Sequence, residues 1–225
     1  MMRELEIRRL GVVPYDEALV MQRDLVEERR AGHVPDLLLL LQHPAVITLG
    51  VKGDGGRANI VATDARLAEL GIAVHETGRG GDVTYHGPGQ IVGYPILDLK
   101  PDRCDVHRYV RDLEEVMIRV CADNGVTAGR IQGLTGTWVG AEKIGAIGVR
   151  LSRWITSHGF AFNVSTDLDH FKLIVPCGIS DRGVTSLERA SGRRLSIADV
   201  EDAVVHRFQE IFDRQVIDAR LSRSV

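Results

Sequence analysis

Glycine is spread unevenly along this chain, and that unevenness limits the folds open to it. There are 24 glycines in 225 residues, well above the usual ~7%. They gather at 50–56, 78–93 and 133–148. A flexible linker would scatter them. Clusters mark places where the backbone turns sharply or comes close to a ligand. The pattern therefore predicts a folded domain whose site is built largely from main chain.

The segments between the clusters alternate in type. Leu5 to Leu10 alternates charged and apolar residues, as a short strand does. Tyr15 to Arg30 is charged and periodic after Pro14, which predicts a helix. Asp36 to Gln42 is a short apolar run closed by His43-Pro44, the signature of a buried strand, and Ala45 to Leu49 reads as another. Thr63 to Leu70 predicts a short helix with Thr63 or Asp64 as cap and Gly71 as stop. Ile72–Glu76 and Gln90–Leu99 read as strands on either side of a glycine-rich loop. Val106 to Asn124 carries an apolar face of Tyr109, Val110, Leu113, Val116, Met117, Val120 and Cys121, a helix ended by Gly125. Gly136–Val149 predicts a hairpin, Trp154–Val164 a strand, and Ser196–Asp213 an amphipathic helix capped by Ser196. Strands and helices mix without regular βαβ alternation. The expectation is one α/β or α+β domain over 1–225, a mixed β-sheet flanked by helices.

Composition narrows the function. The net charge of −3 argues against an extended nucleic-acid surface. Three cysteines, Cys104, Cys121 and Cys177, suit a reduced, cytoplasmic protein. The longest apolar run, Leu37–Leu41, is far short of the roughly 18 residues a membrane span needs. Heptads are absent, so a monomer is expected. Cys104 and His107 have ligand-like spacing, but no second pair accompanies them, and no metal is expected.

Two segments carry chemistry. Gly78 to Gln90 mixes flexible backbone with Arg79, Asp82, Thr84, Tyr85, His86 and Gln90, which is what a substrate-cradling loop needs. It matches no phosphate loop, and on composition alone a bulged hairpin tip fits it equally. In Val175-Pro-Cys-Gly-Ile179, proline stiffens the approach and glycine leaves the Cys177 sulfur accessible. A free cysteine is more often a small buried apolar residue, and Cys121, on the apolar face of its helix, is read as core. A nucleophilic thiol needs a partner that takes its proton. His86, His158 and Lys143 are the candidates, and the residues alone leave a Cys–His and a Cys–Lys pair both open.

The string Arg79-Gly-Gly-Asp-Val-Thr-Tyr-His-Gly-Pro-Gly-Gln90 is followed by Tyr94-Pro95 and Glu142-Lys-Ile-Gly-Ala-Ile-Gly148. His158-Gly159, Asn163-Val164 and Pro176-Cys-Gly-Ile179 complete the pattern. Together these motifs resemble the lipoyl(octanoyl) transferases, from about His43 to about Leu187. The resemblance implies a fold like the biotin/lipoate protein ligase catalytic domain and no cofactor. It implies octanoyl-acyl-carrier protein as donor. The implied acceptors are lipoyl domains of 2-oxoacid dehydrogenase complexes and the glycine-cleavage carrier protein. Cys177 would carry the acyl group as a thioester and Lys143 would act as acid/base. The substrate pocket would be lined by Arg79, Gly80, Gly81, Asp82, Val83, Thr84, Tyr85 and His86, by Ala146, Ile147 and Gly148, and by Gly159, Phe160 and Ala161. An ATP-dependent ligase of the same fold would not require the cysteine. A non-catalytic acyl-binding protein would need neither Cys177 nor Lys143.

Overall fold

The computed structural model describes residues 3–51, 56–101, 103–175 and 182–217. Its architecture follows from strand β2 (Asp36–Gln42), the apolar run noted above. Side chains alternate along a strand, so the five leucines divide between two cores. Leu38 and Leu40 face one core and Leu37, Leu39 and Leu41 the other, all fully buried. A strand buried on both faces has to be central, with helices on either side. Strand β1 (Arg3–Val12) lies parallel to β2 on one side, and β6 (Gln90–Ile96) lies antiparallel on the other.

The helices cover those two faces. Helix α1 (Tyr15–Ala31) packs on the Leu37/Leu39/Leu41 face. Helices α3 (Val106–Asp123) and α5 (Ile197–Phe212) pack on the Leu38/Leu40 face. Among the described residues the large sheet has seven strands, in the order β10-β1-β2-β6-β9-β8-β7. It is completed by β7 (Thr137–Val139), β8 (Glu142–Ser152), β9 (Ile155–Asn163) and β10 (Arg214–Ile217). A smaller sheet, β4-β3-β5, is made of β3 (Val46–Leu49), β4 (Ala73–Glu76) and β5 (Thr84–His86). It has its own core of Ile47, Leu67, Ile72, Val83, Tyr85 and Ile174, with α2 (Asp64–Glu69) packed against it through Leu67. The mixed sheet flanked by helices is the class expected from the sequence.

Local physics accounts for most boundaries. Thr63 caps α2 by accepting from the Arg66 N–H, and Asp105 caps α3 by accepting from the Arg108 N–H. Ser196 stands at the start of α5 but makes no side-chain cap, contrary to expectation. Strand β5, strand β10 and the five-residue helix α4 (Leu187–Ser191) had no clear sequence signal. β10 pairs in parallel with β1, and Arg214 Nε donates to the buried Asp36 carboxylate at 2.9 Å.

The loop 77–83 joins the two sheets. Gly50 N–H donates to Asp82 O and Val51 N–H to Arg79 O on the small-sheet side. Gly80 N–H donates to Val149 O of β8, in the large sheet, at 2.9 Å. Glycine makes this three-way approach feasible. A Cβ on Gly148 would lie 2.8 Å from the Gly80 carbonyl oxygen, and one on Gly50 would collide with the Gly81 carbonyl.

Candidate active site

A cavity of about 530 Å³ opens between the two sheets beside that loop, within the range of small-molecule sites. One part of its wall is polar: Tyr15, Arg79, Asp82, His86, Tyr94 and His158. Another part is apolar: Val106 and Val110 of α3, Leu134, and Ile144, Ile147 and Val149 of β8. An acyl group needs this combination, a polar set of groups for its reactive end and an apolar sleeve for its chain.

Arg79 fixes the polar wall. Its Nη2 donates to Thr48 O at 2.7 Å and to Thr48 Oγ1 at 2.8 Å, and its Nε reaches the same hydroxyl at 3.2 Å. Nη1 donates to its neighbour's carbonyl, Gly80 O, at 3.1 Å. The guanidinium therefore ties the loop to β3 and places a buried positive charge behind the cavity. The nearby histidines respond. Burial, with His43 and Arg79 beside it, holds His86 well below the usual imidazole range. Burial and then Arg79 lower His158 to about 4, and burial lowers His43 to about 4. All three are neutral at pH 7.

Neutral rings fix the proton positions. His43 Nδ1 donates to Val13 O at 2.7 Å, so its Nε2 accepts from the Tyr94 hydroxyl at 2.7 Å. His86 Nδ1 donates to Gln90 Oε1 at 2.7 Å, while Gln90 Nε2 donates to Asn163 Oδ1 at 3.0 Å and to Tyr85 O. His158 holds a left-handed backbone (φ 54°), its N–H donates to Gln22 Oε1 at 2.7 Å, and its Nδ1 is buried with no partner among the described residues. Asp82 Oδ2 accepts from Asn59 Nδ2 at 2.7 Å, and its Oδ1 likewise has no partner there. Unpaired buried polar atoms are uncommon, and these two belong to residues lining the same cavity.

Lys143 stands on β8 in the cavity wall. Its Nζ sits 4.8 Å from the centre of the Trp138 ring, its cross-strand partner in the hairpin. Its backbone N–H donates to Gly183 O at 2.9 Å, and its carbonyl accepts from Thr185 N–H at 3.0 Å. The chain that follows residues 176–181 therefore runs alongside Lys143. Cys177 itself, with Pro176 and Gly178, lies outside the described residues. Of the other two cysteines, Cys121 is where the sequence suggested. Cys121 is buried in the core, its thiol pushed up to about 12 by that burial, and Cys104 is exposed.

Of the residues expected to line the pocket, Arg79, Gly80, Gly81, Asp82, Val83, Thr84 and His86 do so, as do Ala146, Ile147, Gly148, Gly159, Phe160 and Ala161. Tyr85 does not. Strand alternation in β5 turns Thr84 and His86 to the cavity and sends Tyr85 into the small-sheet core. There it packs on Phe171 and its hydroxyl bonds His170 Nδ1 at 2.8 Å. Expecting a uniform loop missed this because β5 was not foreseen.

The sequence reading gave no site role to Tyr15, Tyr94 or Glu114. Glu114 is fully buried on α3. Its carboxylate accepts from Gly136 N–H at 2.9 Å, Arg130 Nε at 2.9 Å and Arg111 Nη1 at 2.6 Å. That network holds the segment Gly133–Gly136, whose Gly133, Leu134 and Thr135 line the cavity. A sequence signal existed: position 114 falls in the apolar stripe between Val110 and Met117, at helical spacing.

The fold and the cavity define a catalytic domain of the lipoyl protein ligase A/B class, and the model of that catalytic domain matches residues 14–209. Among solved structures, a bipartite lipoate protein ligase from Thermoplasma acidophilum superposes with a TM-score of 0.74 at 18% identity, over 98% of this chain and 89% of that one. A biotin protein ligase from Aquifex aeolicus gives 0.54 at 14%, over 95% and 71%. These likenesses concern the fold. The octanoyltransferase of Solibacter usitatus is 52% identical over 96% of this chain and 96% of its own length. That of Myxococcus xanthus is 54% identical over 97% of this chain, which spans 62% of that longer protein. The chain belongs to the octanoyltransferase family of acyltransferases.

Proposed function

We propose that this protein moves an octanoyl group from acyl-carrier protein, through a thioester on Cys177, to the lysine of a lipoyl domain, with Lys143 carrying the protons. The observation that carries this reading is the placement of Lys143. It lines a cavity with an apolar sleeve, and the segment 183–185, a few residues after Cys177, is hydrogen-bonded to its backbone.

The steps balance without ATP. Lys143, as the amine, takes the Cys177 proton, and the thiolate attacks the donor thioester carbonyl. The carrier's sulfur leaves and receives that proton from Lys143. The acceptor lysine amine then attacks the acyl-enzyme, an amide forms, and the Cys177 sulfur departs. The proton released by the attacking amine passes to Lys143 and on to the thiolate. His86 and His158, the other partners the sequence left open, are held neutral on the cavity wall, and His86 Nδ1 is committed to Gln90. They serve this reading as wall groups. Ile144, Ile147, Val149 and Val110 supply the sleeve, at about 0.8 kcal/mol per buried methylene.

Intact mass after mixing with octanoyl-acyl-carrier protein tests the proposal. The wild type should gain one octanoyl group that hydroxylamine removes, Cys177→Ser should gain no labile adduct, and an added lipoyl domain should discharge the wild-type adduct without ATP. A labile adduct on Cys177→Ser, or transfer that requires ATP, would sink it.

A further inference from the structure

A second, shallower cleft of about 410 Å³ adjoins the active cavity. Two chain segments connect them. Asn163 lines the cavity while Ser165 and Thr166, just beyond, line the cleft. Val184 lines the cavity, Thr185 pairs with Lys143, and Ser186 lines the cleft. Arg189, also in the cleft, places Nη2 3.6 Å from Oε1 of Glu142, the residue before Lys143.

The cleft is built for an anion. Arg189, Arg193 and Arg194 supply the charge, and Glu188 is the one carboxylate among the described residues of its wall. That carboxylate is engaged, its Oε1 accepting from Leu195 N–H at 2.7 Å. Arg193 and Arg194 are exposed, with no side-chain hydrogen bond or ion pair to a described residue. The hydroxyls are sorted by their own bonds. Thr166 Oγ1 donates to Gly89 O at 3.1 Å and is spent. Ser186 Oγ accepts from Arg189 N–H at 3.3 Å, which leaves its proton to donate. Ser165 is exposed, and its hydroxyl makes no hydrogen bond to a described residue. This concentration of positive charge runs against a net charge of −3 for the whole chain, so overall composition does not account for it.

We infer that this cleft binds the phosphodiester of the phosphopantetheine arm that presents the acyl thioester, with Arg193 and Arg194 as the charged partners and Ser165 and Ser186 as donors. The inference rests on the proposed function, which makes the donor a carrier-borne thioester. Such a donor has one fixed negative group at the far end of a flexible arm from the reacting carbonyl. A cleft joined to Lys143 through residues 183–186 holds that group while the thioester enters the cavity. Paired guanidinium and hydroxyl donors are a usual phosphate-binding set.

Three donors separate the contributions: octanoyl-pantetheine, octanoyl-phosphopantetheine and octanoyl-acyl-carrier protein, each assayed by octanoylation of a lipoyl domain. In the wild type, kcat/KM should be roughly 10-fold or more higher with the phosphorylated small thioester than with the unphosphorylated one. In Arg193→Ala/Arg194→Ala that ratio should fall to near one. An unchanged ratio overturns the inference. So does an effect confined to the carrier-protein donor, which would mean that the arginines read an acidic protein surface. If the wild type turns over none of the three donors, the proposed function fails first and takes this inference with it. Turnover without a phosphate advantage removes the inference alone.

Discussion

Removing the Glu114 carboxylate should loosen the cavity from a distance. The side chain is fully buried and holds Gly136 N–H, Arg130 Nε and Arg111 Nη1. Deleting one partner of a buried ion pair costs roughly 3–5 kcal/mol where the other stays buried. That figure needs discounting here, because the side chains of Arg111 and Arg130 are 51% and 33% exposed and can turn to water. What stays orphaned in Glu114→Ala is the Gly136 N–H, at about 1–3 kcal/mol, plus a small void. The expected loss is about 3 kcal/mol. Glu114→Gln keeps an acceptor for Gly136 and surrenders only screened charge, so about 1 kcal/mol is expected. Equilibrium urea unfolding at pH 7 measures both. The function should follow, because a Cβ on Gly136 would lie 3.5 Å from Lys143 Cε, so displacing this glycine disturbs the lysine stem. Glu114→Ala should lose transfer activity and Glu114→Gln should regain most of it. Equal destabilisation by the two variants, or less than about 1 kcal/mol for the alanine, would refute the claim that the Gly136 bond matters most.

The histidine cluster predicts an acid-sensitive fold. His43, His86 and His158 have folded-state values below the usual ~6.5, so below that pH the unfolded chain binds more protons and stability falls. The loss should begin near pH 6.5 and grow towards pH 4, by up to about 1.4 kcal/mol per pH unit for each histidine. Urea midpoints at pH 7, 6 and 5 would show it, and a flat profile would contradict it. Gly148→Ala and Gly145→Ala form a contrast. The first drives a methyl against the Gly80 carbonyl, which is backbone, and should weaken the loop 77–83 and octanoyl binding severely. The second meets the sulfur of Met117, a flexible side chain, and should cost less. Thermal shifts with and without octanoate would rank them.

Much of the framework was legible because it depends on local periodicity. The leucine run announced a buried strand, and the stripe on α3 announced a helix with one apolar face. The glycine clusters foretold close main-chain approach, which the contacts Gly50–Gly81 and Gly80–Gly148 bear out. Less legible were features decided by distant partners. His43 and Tyr94 are 51 residues apart and bond through a tautomer set by Val13. Tyr85 looked like one more polar head in a loop, and only pairing with β3 reveals which way it faces. Glu114 sat on an apolar stripe where a carboxylate invites the question of its partner, yet Arg130 and Gly136 lie 16 and 22 residues further on.

The loop 77–83 has a thermodynamic consequence of its own. Arg79 grips Thr48 in the small sheet, Gly80 is bonded to Val149 in the large one, and the same residues form the cavity wall. Ligand occupancy and cohesion between the two sheets therefore draw on one set of contacts and are linked equilibria. A bound acyl group should suppress separation of the sheets, measurable as slower amide exchange in β3 and β8. Reciprocally, a trimmed side chain deep in the small-sheet core, such as Ile47→Val, should appear as weaker substrate affinity, although Ile47 does not line the cavity.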